Sequence, residues 1–517
     1  SASTSGRVVT ITRSGGSEIT AGTEVTITIP SVTNQKFAGS SGAFVALYTT
    51  LSTAVKIDEA TSGSSTLPPA VTFTPSTFGG NAGAVTPASL VAGAVGSANL
   101  VFTTGNPLPA DGKIILEFPT TFHAVAATSA TKVSGIDGTI AASTTGRVVT
   151  ITRSGGSEIT AGTEVTVTIP SVTNQKYEGS SGAFIALYTT ISSGAKIDEA
   201  TSGSSTLPPA VTFTPSTFGG VAGAVTLAST VAGATTASTL TFTTGNPLPA
   251  DGRIFLEFPT TFTDVNGGNA AVVSGIDGGL ATNVYTTNVI TLTRGGGSEI
   301  AAGTEITITL PTVVNQLFAG SSGLFVALYT STSSGAKIDE ATAGSSTLPP
   351  AITFTPSTFG GNAGAVTTAS LIAGATGSAD LVFTTGNPLP PNGKIVLEFP
   401  TTFHAIAATS ATAGTGIDGS LGVSTSGRTV TITRSGGTQI TAGTQVTVTI
   451  PSVTNQKYEG SSGAFIALYT MISSGAKIDE ATSGSSTLPP AVTFTPSTFG
   501  GNAGALTPAS LVAGAVG

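Results

Sequence analysis

Apolar and polar residues alternate with a period of two along most of this 517-residue chain. In residues 23–29, Val25, Ile27 and Ile29 share one face, while Glu24, Thr26 and Thr28 share the other. Residues 113–118 read the same way with Ile114, Leu116 and Phe118 inward, and residues 7–12 do so with Val9 and Ile11 inward. Residues 99–102 add a further short strand. Residues 44–48 are apolar on both faces, which predicts a central strand covered from both sides. Asp111-Gly112, Asp137-Gly138, Ser14-Gly15-Gly16 and Ala21-Gly22 mark the turns. No helical stripe of useful length interrupts this pattern, so it predicts an all-β chain.

The pattern repeats. A Thr-Leu-Pro-Pro segment places its prolines at Pro68-Pro69, Pro208-Pro209, Pro349-Pro350 and Pro489-Pro490, spacings of 140, 141 and 140 residues. Arg13, Arg153, Arg294 and Arg434 recur at the same intervals. Such a period is too long for a solenoid coil or a propeller blade and fits a whole domain repeated as a bead. Boundaries at the Pro-Pro pairs, where strand pairing is blocked, give complete units 68–207, 208–348 and 349–488. Partial units 1–67 and 489–517 flank them. Gly79-Gly80 offers a nearly equivalent boundary. Residue 1 matches about position 141 of the first unit and residue 517 matches position 96, so joining tail to head leaves a gap of about 44 residues. A longer repetitive chain, or strands contributed by neighbouring chains, is the expectation that follows.

About seven to nine strands per unit, separated by frequent turns, predict tandem immunoglobulin-like β-sandwich domains in a linear array. The absence of Trp and Cys excludes the antibody-type domain. Phe102-Thr-Thr-Gly-Asn-Pro-Leu-Pro-Ala-Asp-Gly-Lys-Ile-Ile-Leu-Glu-Phe-Pro119 and Ala21-Gly-Thr-Glu-Val-Thr-Ile-Thr-Ile-Pro30 resemble tandem Ig-like repeats of microbial and algal surface proteins, of the adhesin, surface-layer or extracellular filament type. The resemblance implies an extracellular or cell-surface location and a spacer or fibre role. It carries no catalytic residues.

Composition narrows the function. Charged residues are only 9 % of the chain, yet the many alternating Val, Ile and Thr argue for folding rather than disorder. The net charge of −8 is spread thinly, without the basic cluster that nucleic acid requires. No stretch in this window is apolar for long enough to span a bilayer. Without Cys there are no disulfides, thiolate metal sites or thiol nucleophiles.

The search for chemistry returns none, and the chain reads as a non-enzyme with no cofactor and no metal. His123 and His404 occupy equivalent positions, but Thr263 stands between them. Lys56-Ile57-Asp58-Glu59 recurs at Lys196, Lys337 and Lys477; Asp and Glu point to opposite faces there and read as a polar, aggregation-resistant edge. Asp111 becomes Asn392, a change that a turn tolerates better than a calcium site does. Asp137, Asp277 and Asp418 in Gly-Ile-Asp-Gly read as turn residues.

Outward-facing apolar residues are the remaining signal. Ile115 lies between two inward residues, and its equivalents Phe255 and Val396 are also apolar. They form a candidate inter-domain or inter-chain contact, with a locally buried second face as the other reading. Residues after Asn34-Gln35 alternate as Lys-Phe-Ala-Gly, Lys-Tyr-Glu-Gly, Leu-Phe-Ala-Gly and Lys-Tyr-Glu-Gly. Ser and Thr near Pro, as in Thr74-Pro75-Ser76-Thr77 and Pro119-Thr120-Thr121, are candidates for O-linked glycans. The expected function is the structural subunit of an extracellular fibre or surface filament, with the chain itself as partner and strand exchange between chains as one route. The alternative is an adhesin stalk that spaces a binding tip from the cell.

Overall fold

The computed structural model describes residues 1–266, 270–286, 288–501, 504, 505 and 513. Thirteen of the 29 residues of the expected partial unit 489–517 therefore lie outside the described residues. Every regular element among the described residues is a strand. The chain forms tandem immunoglobulin-like sandwiches.

The first complete unit shows how the alternation becomes a core. Gly79–Pro87, Val95–Thr103, Glu164–Thr173 and Ala124–Val125 form one sheet in that order, with Thr131–Ser134 also pairing to Glu164–Thr173. The facing sheet runs Thr139–Thr145, Val148–Ser154, Lys113–Glu117, Ala186–Thr190 and Lys196–Thr201. All of these pairings are antiparallel. The inward set Val165, Val167 and Ile169 meets Ile114, Leu116 and Phe118 between the sheets, all at 0–1 % exposure. Phe118 and Phe122 pack edge to face at 5.1 Å, and Phe122 meets Phe213 at 5.6 Å.

Three separate apolar clusters result, spanning residues 78–213, 218–354 and 359–494. Leu207 and Phe213 lie on opposite sides of Pro208-Pro209, yet both belong to the cluster that begins at Phe78. Residues on both sides of the prolines thus belong to one core, although Pro209 itself is exposed, and one cluster gives way to the next between Phe213 and Phe218. That change falls close to the Gly79-Gly80 equivalents.

Residues 1–73 carry the second half of a unit. The strand predicted at residues 23–29 has no assigned ladder, whereas its equivalent Glu164–Thr173 pairs with Val95–Thr103 in the complete unit. Val25 and Ile27 are accordingly 54 % exposed. Residues 44–48 are likewise exposed in this half-unit. In the complete unit, the equivalent strand Ala186–Thr190 is flanked on both sides and Leu187 is fully buried.

Candidate functional site: the inter-unit joint

Two polar clamps brace each sandwich, and both arise from residues placed by strand parity. Val149, Ile151 and Arg153 point to the same face of Val148–Ser154, so the third position drives a guanidinium inward, 1 % exposed. Its Nη1 donates to Pro109 O at 2.7 Å and Leu108 O at 3.3 Å, and its Nη2 to Ser157 O at 2.9 Å. Nη2 also pairs with Asp137 Oδ1 at 2.7 Å. Arg294 with Asp277 and Arg434 with Asp418 repeat this arrangement. The three aspartates, expected as turn residues, therefore also anchor a buried cation. Hydrogen bonds from Ser157 chiefly, with help from the nearby Arg153, hold the Asp137 carboxyl below its ordinary value.

The second clamp corrects the reading of the Lys-Ile-Asp-Glu segment. Asp198 is not an exposed edge residue but is fully buried. It accepts the backbone N–H groups of Gly105 at 3.1 Å and Asn106 at 2.9 Å, fastening the Thr-Thr-Gly-Asn-Pro loop over the sheet. A Cβ at Gly105 would collide with Thr77 O, so only glycine fits. Asp339 and Asp479 do the same in the next two units. Burial raises these carboxyls to about 6 at Asp198, about 7 at Asp339 and about 6 at Asp479. The exposed charge of the segment is instead paired, Lys196 with Glu199, while its Nζ lies 4.7 Å from the Tyr188 ring centre.

The signs of these shifts oppose each other and define a window. A raised Asp favours the folded state when protonated, so that contribution is lost as pH climbs through about 6 to 7. The lowered carboxyls of Asp137, Asp277 and Asp418 contribute only when ionised, and their contribution is lost as pH falls below the ordinary carboxylate value. Calorimetry at three pH values should give the highest melting temperature near pH 4, with lower values at pH 8 and at pH 2.5. A rise that continues monotonically to pH 8 would contradict the buried carboxyls.

The joint between units is built from four recurring contacts. The linker Thr214-Pro215-Ser216 is hydrogen-bonded to both neighbours. Thr214 N donates to Leu90 O at 2.8 Å and Ala92 N to Thr214 O at 2.9 Å in the unit before it. Ser216 N donates to Ile338 O at 2.9 Å, and Glu340 N to Ser216 O at 2.8 Å, in the unit after it. Secondly, Asn246 Nδ2 crosses back to Ala92 O at 3.0 Å, where Gly93, at φ +70°, leaves room for the amide. Thirdly, the bend at Lys176-Tyr177-Glu178 reaches forward: Glu178 N donates to Lys337 O at 2.7 Å, and Lys337 N to Glu178 Oε1 at 2.9 Å. Finally, Tyr177 itself packs against the apolar cluster of the following unit. Phe37 and Phe318 occupy the same place at the preceding and following joints.

The alternating Lys-Phe and Lys-Tyr segments seen in the sequence are therefore the plugs of successive joints. Tyr177→Ser should leave the melting of each sandwich nearly unchanged while broadening the distribution of angles between neighbouring units in electron micrographs. An unchanged angular spread would remove the plug from the joint.

Ile115, Phe255 and Val396 occupy the outer face of the second sheet. Ile115 and Val396 are buried, at 6 % and 2 %. Each sits beside a tyrosine of its own unit on the adjacent strand: Tyr188, Tyr329 and Tyr469. Phe255 stacks on Tyr329 at 4.4 Å. Each thus has an aromatic neighbour within its own unit, and the hydrogen bonds between units described above are made by other residues.

No family model matches the chain, and no curated protein matches it. Among solved structures it is similar to the N-terminal domain of a Streptococcus gordonii adhesin, at 11 % identity over 80 % of this chain and 87 % of that one, with a TM-score of 0.21. It is also similar to the Escherichia coli adhesin FdeC, at 12 % identity over 82 % and 100 %, TM-score 0.18. A type II cohesin dyad from a scaffoldin of Acetivibrio cellulolyticus matches at 12 % identity over 48 % and 88 %, TM-score 0.17. None of these similarities reaches a level at which function would transfer.

Proposed function

We propose that the chain is the non-enzymatic body of an extracellular fibre or surface filament, its units spaced and oriented by the joint described above. The observation that carries this reading is the linker Thr214-Pro215-Ser216, whose backbone is stitched to both flanking units. A flexible tether would leave those groups to water. A hydrogen-bonded linker with a proline at its centre instead transmits orientation from one sandwich to the next. The same tripeptide stands at Thr74-Pro75-Ser76, Thr355-Pro356-Ser357 and Thr495-Pro496-Ser497.

Self-contained cores also suit mechanical service, since one unit can open without dragging its neighbours. The scarcity of charge, 9 % of residues, fits a surface whose Ser and Thr carry O-linked glycans. An intact mass equal to that of the bare polypeptide would remove the glycans from this reading. Electron microscopy of native material tests the reading as a whole. Ordered polymers with an axial repeat of one unit support the fibre; isolated thin rods ending in a separate tip would replace it with the adhesin stalk.

A further inference from the structure

The groove at the joint between the first two complete units has a volume of about 290 Å³. Its lining brings together His123, Arg147, Lys176 and Glu299. Lys176 Nζ pairs with Glu299 at 2.9 Å across the joint. Arg147 uses its Nε to hold Phe122 O at 3.0 Å, and among the described residues its two terminal nitrogens make no further hydrogen bond. Thr120, Tyr177, Pro247 and Pro249 also line it. Two cations, one anion and an imidazole leave this groove positive in a chain whose net charge is −8.

The next joint provides an internal comparison. The four matching positions are Thr263, Asn288, Leu317 and Gln439. All four have lost their ionisable groups together. The fold of that joint is retained: Ala319 N still donates to Lys477 O, as Glu178 N does to Lys337 O, and Phe318 still packs on the following core. The charges are therefore not needed to hold two units together. A requirement for joint stability alone would keep Lys and Glu or lose both, but it gives no reason for His123 and Arg147 to change with them.

From this concerted difference we infer that the first groove is a binding site for the acidic group of a saccharide, a carboxylate or a sulfate. The oxyanion would face the free fork of Arg147 and the ammonium of Lys176, with the sugar against Tyr177 and Thr120. Guanidinium groups suit planar oxyanions because two parallel N–H donors match two oxygens. An aromatic wall beside a few convergent polar groups is the usual composition of a small-ligand site. Because the site resides in the joint, it is independent of whether the units serve a fibre or a stalk.

The test uses the full chain and titration calorimetry at low salt, with oligogalacturonate and dextran sulfate as probes and neutral dextran as control. One acidic probe should bind at about one equivalent per chain and neutral dextran should not. Which acidic probe binds distinguishes carboxylate from sulfate. The variant H123T/R147N/K176L/E299Q copies the neutral groove already present in the molecule, so its joint should fold, and it should lose at least tenfold in affinity. The reverse exchange, T263H/N288R/L317K/Q439E, should create a second equivalent. Absence of binding by either acidic probe, or undiminished binding by the neutral variant, would overturn the site.

Discussion

Replacing Arg153 with Leu should destabilise the first complete unit by about 3 kcal/mol, because three carbonyls and Asp137 lose one buried donor together. Leucine ends at Cδ and offers no hydrogen bonds, so the cost combines the lost polar contacts with the space that the buried guanidinium vacates. That should lower the melting of this unit by about 10 °C. The other two units, each with its own arginine, should melt as before. The trace then splits, with the displaced part belonging to one unit. Arg153→Lys should rescue little, since an ammonium cannot serve the planar fork of acceptors that the guanidinium reaches. A single unsplit transition at the original temperature would show that the buried cation is dispensable.

The second large effect is expected at Asp198. Asp198→Ala leaves the N–H groups of Gly105 and Asn106 buried without acceptors, at about 1–3 kcal/mol each. It also releases the loop that carries Asn106, whose equivalent Asn246 bridges two units. In Asp339→Ala, where the released loop carries Asn246 itself, loss of fold stability and a looser joint should therefore appear in the same variant. Asp198→Asn keeps an acceptor oxygen and should be far milder. It should also remove the fall in stability of that unit between pH 5 and pH 8, because the group with the raised carboxyl value is gone. If the Asn variant kept that fall unchanged, its source would have to be sought elsewhere.

Strand parity made much of the sandwich legible in the sequence. Val165, Val167 and Ile169 lie where period-two alternation places them, as do Ile114, Leu116 and Phe118. The same parity applied to Val149, Ile151 and Arg153 points the arginine inward. What hid it was the expectation that a charged side chain belongs outside; three carbonyls and a carboxylate from distant segments overturn that expectation. Asp198 was illegible for a related reason. Its strand is last in its sheet and so resembles an edge, but Ser76 bridges it and the Gly105 loop covers the carboxylate. Long-range closure of that kind leaves no periodic trace.

The joint was half visible. The alternation of Lys-Phe with Lys-Tyr marked the right segment, yet nothing local distinguishes a plug from a surface aromatic. Ile115 illustrates the opposite case. An apolar residue on an outward face is a sound signal of cover, and here the adjacent-strand tyrosine of the same unit lies beside it. The prolines at Pro208-Pro209 marked a break in strand pairing correctly, but such a break can lie inside one core as well as between two.

Pulling a single chain from its ends in a force spectrometer tests most directly whether each unit carries its own core. Three ruptures of nearly equal length are expected, each releasing about 45 nm of chain from one of the three clusters. One merged rupture, or steps that release two units together, would contradict the independence of the three cores.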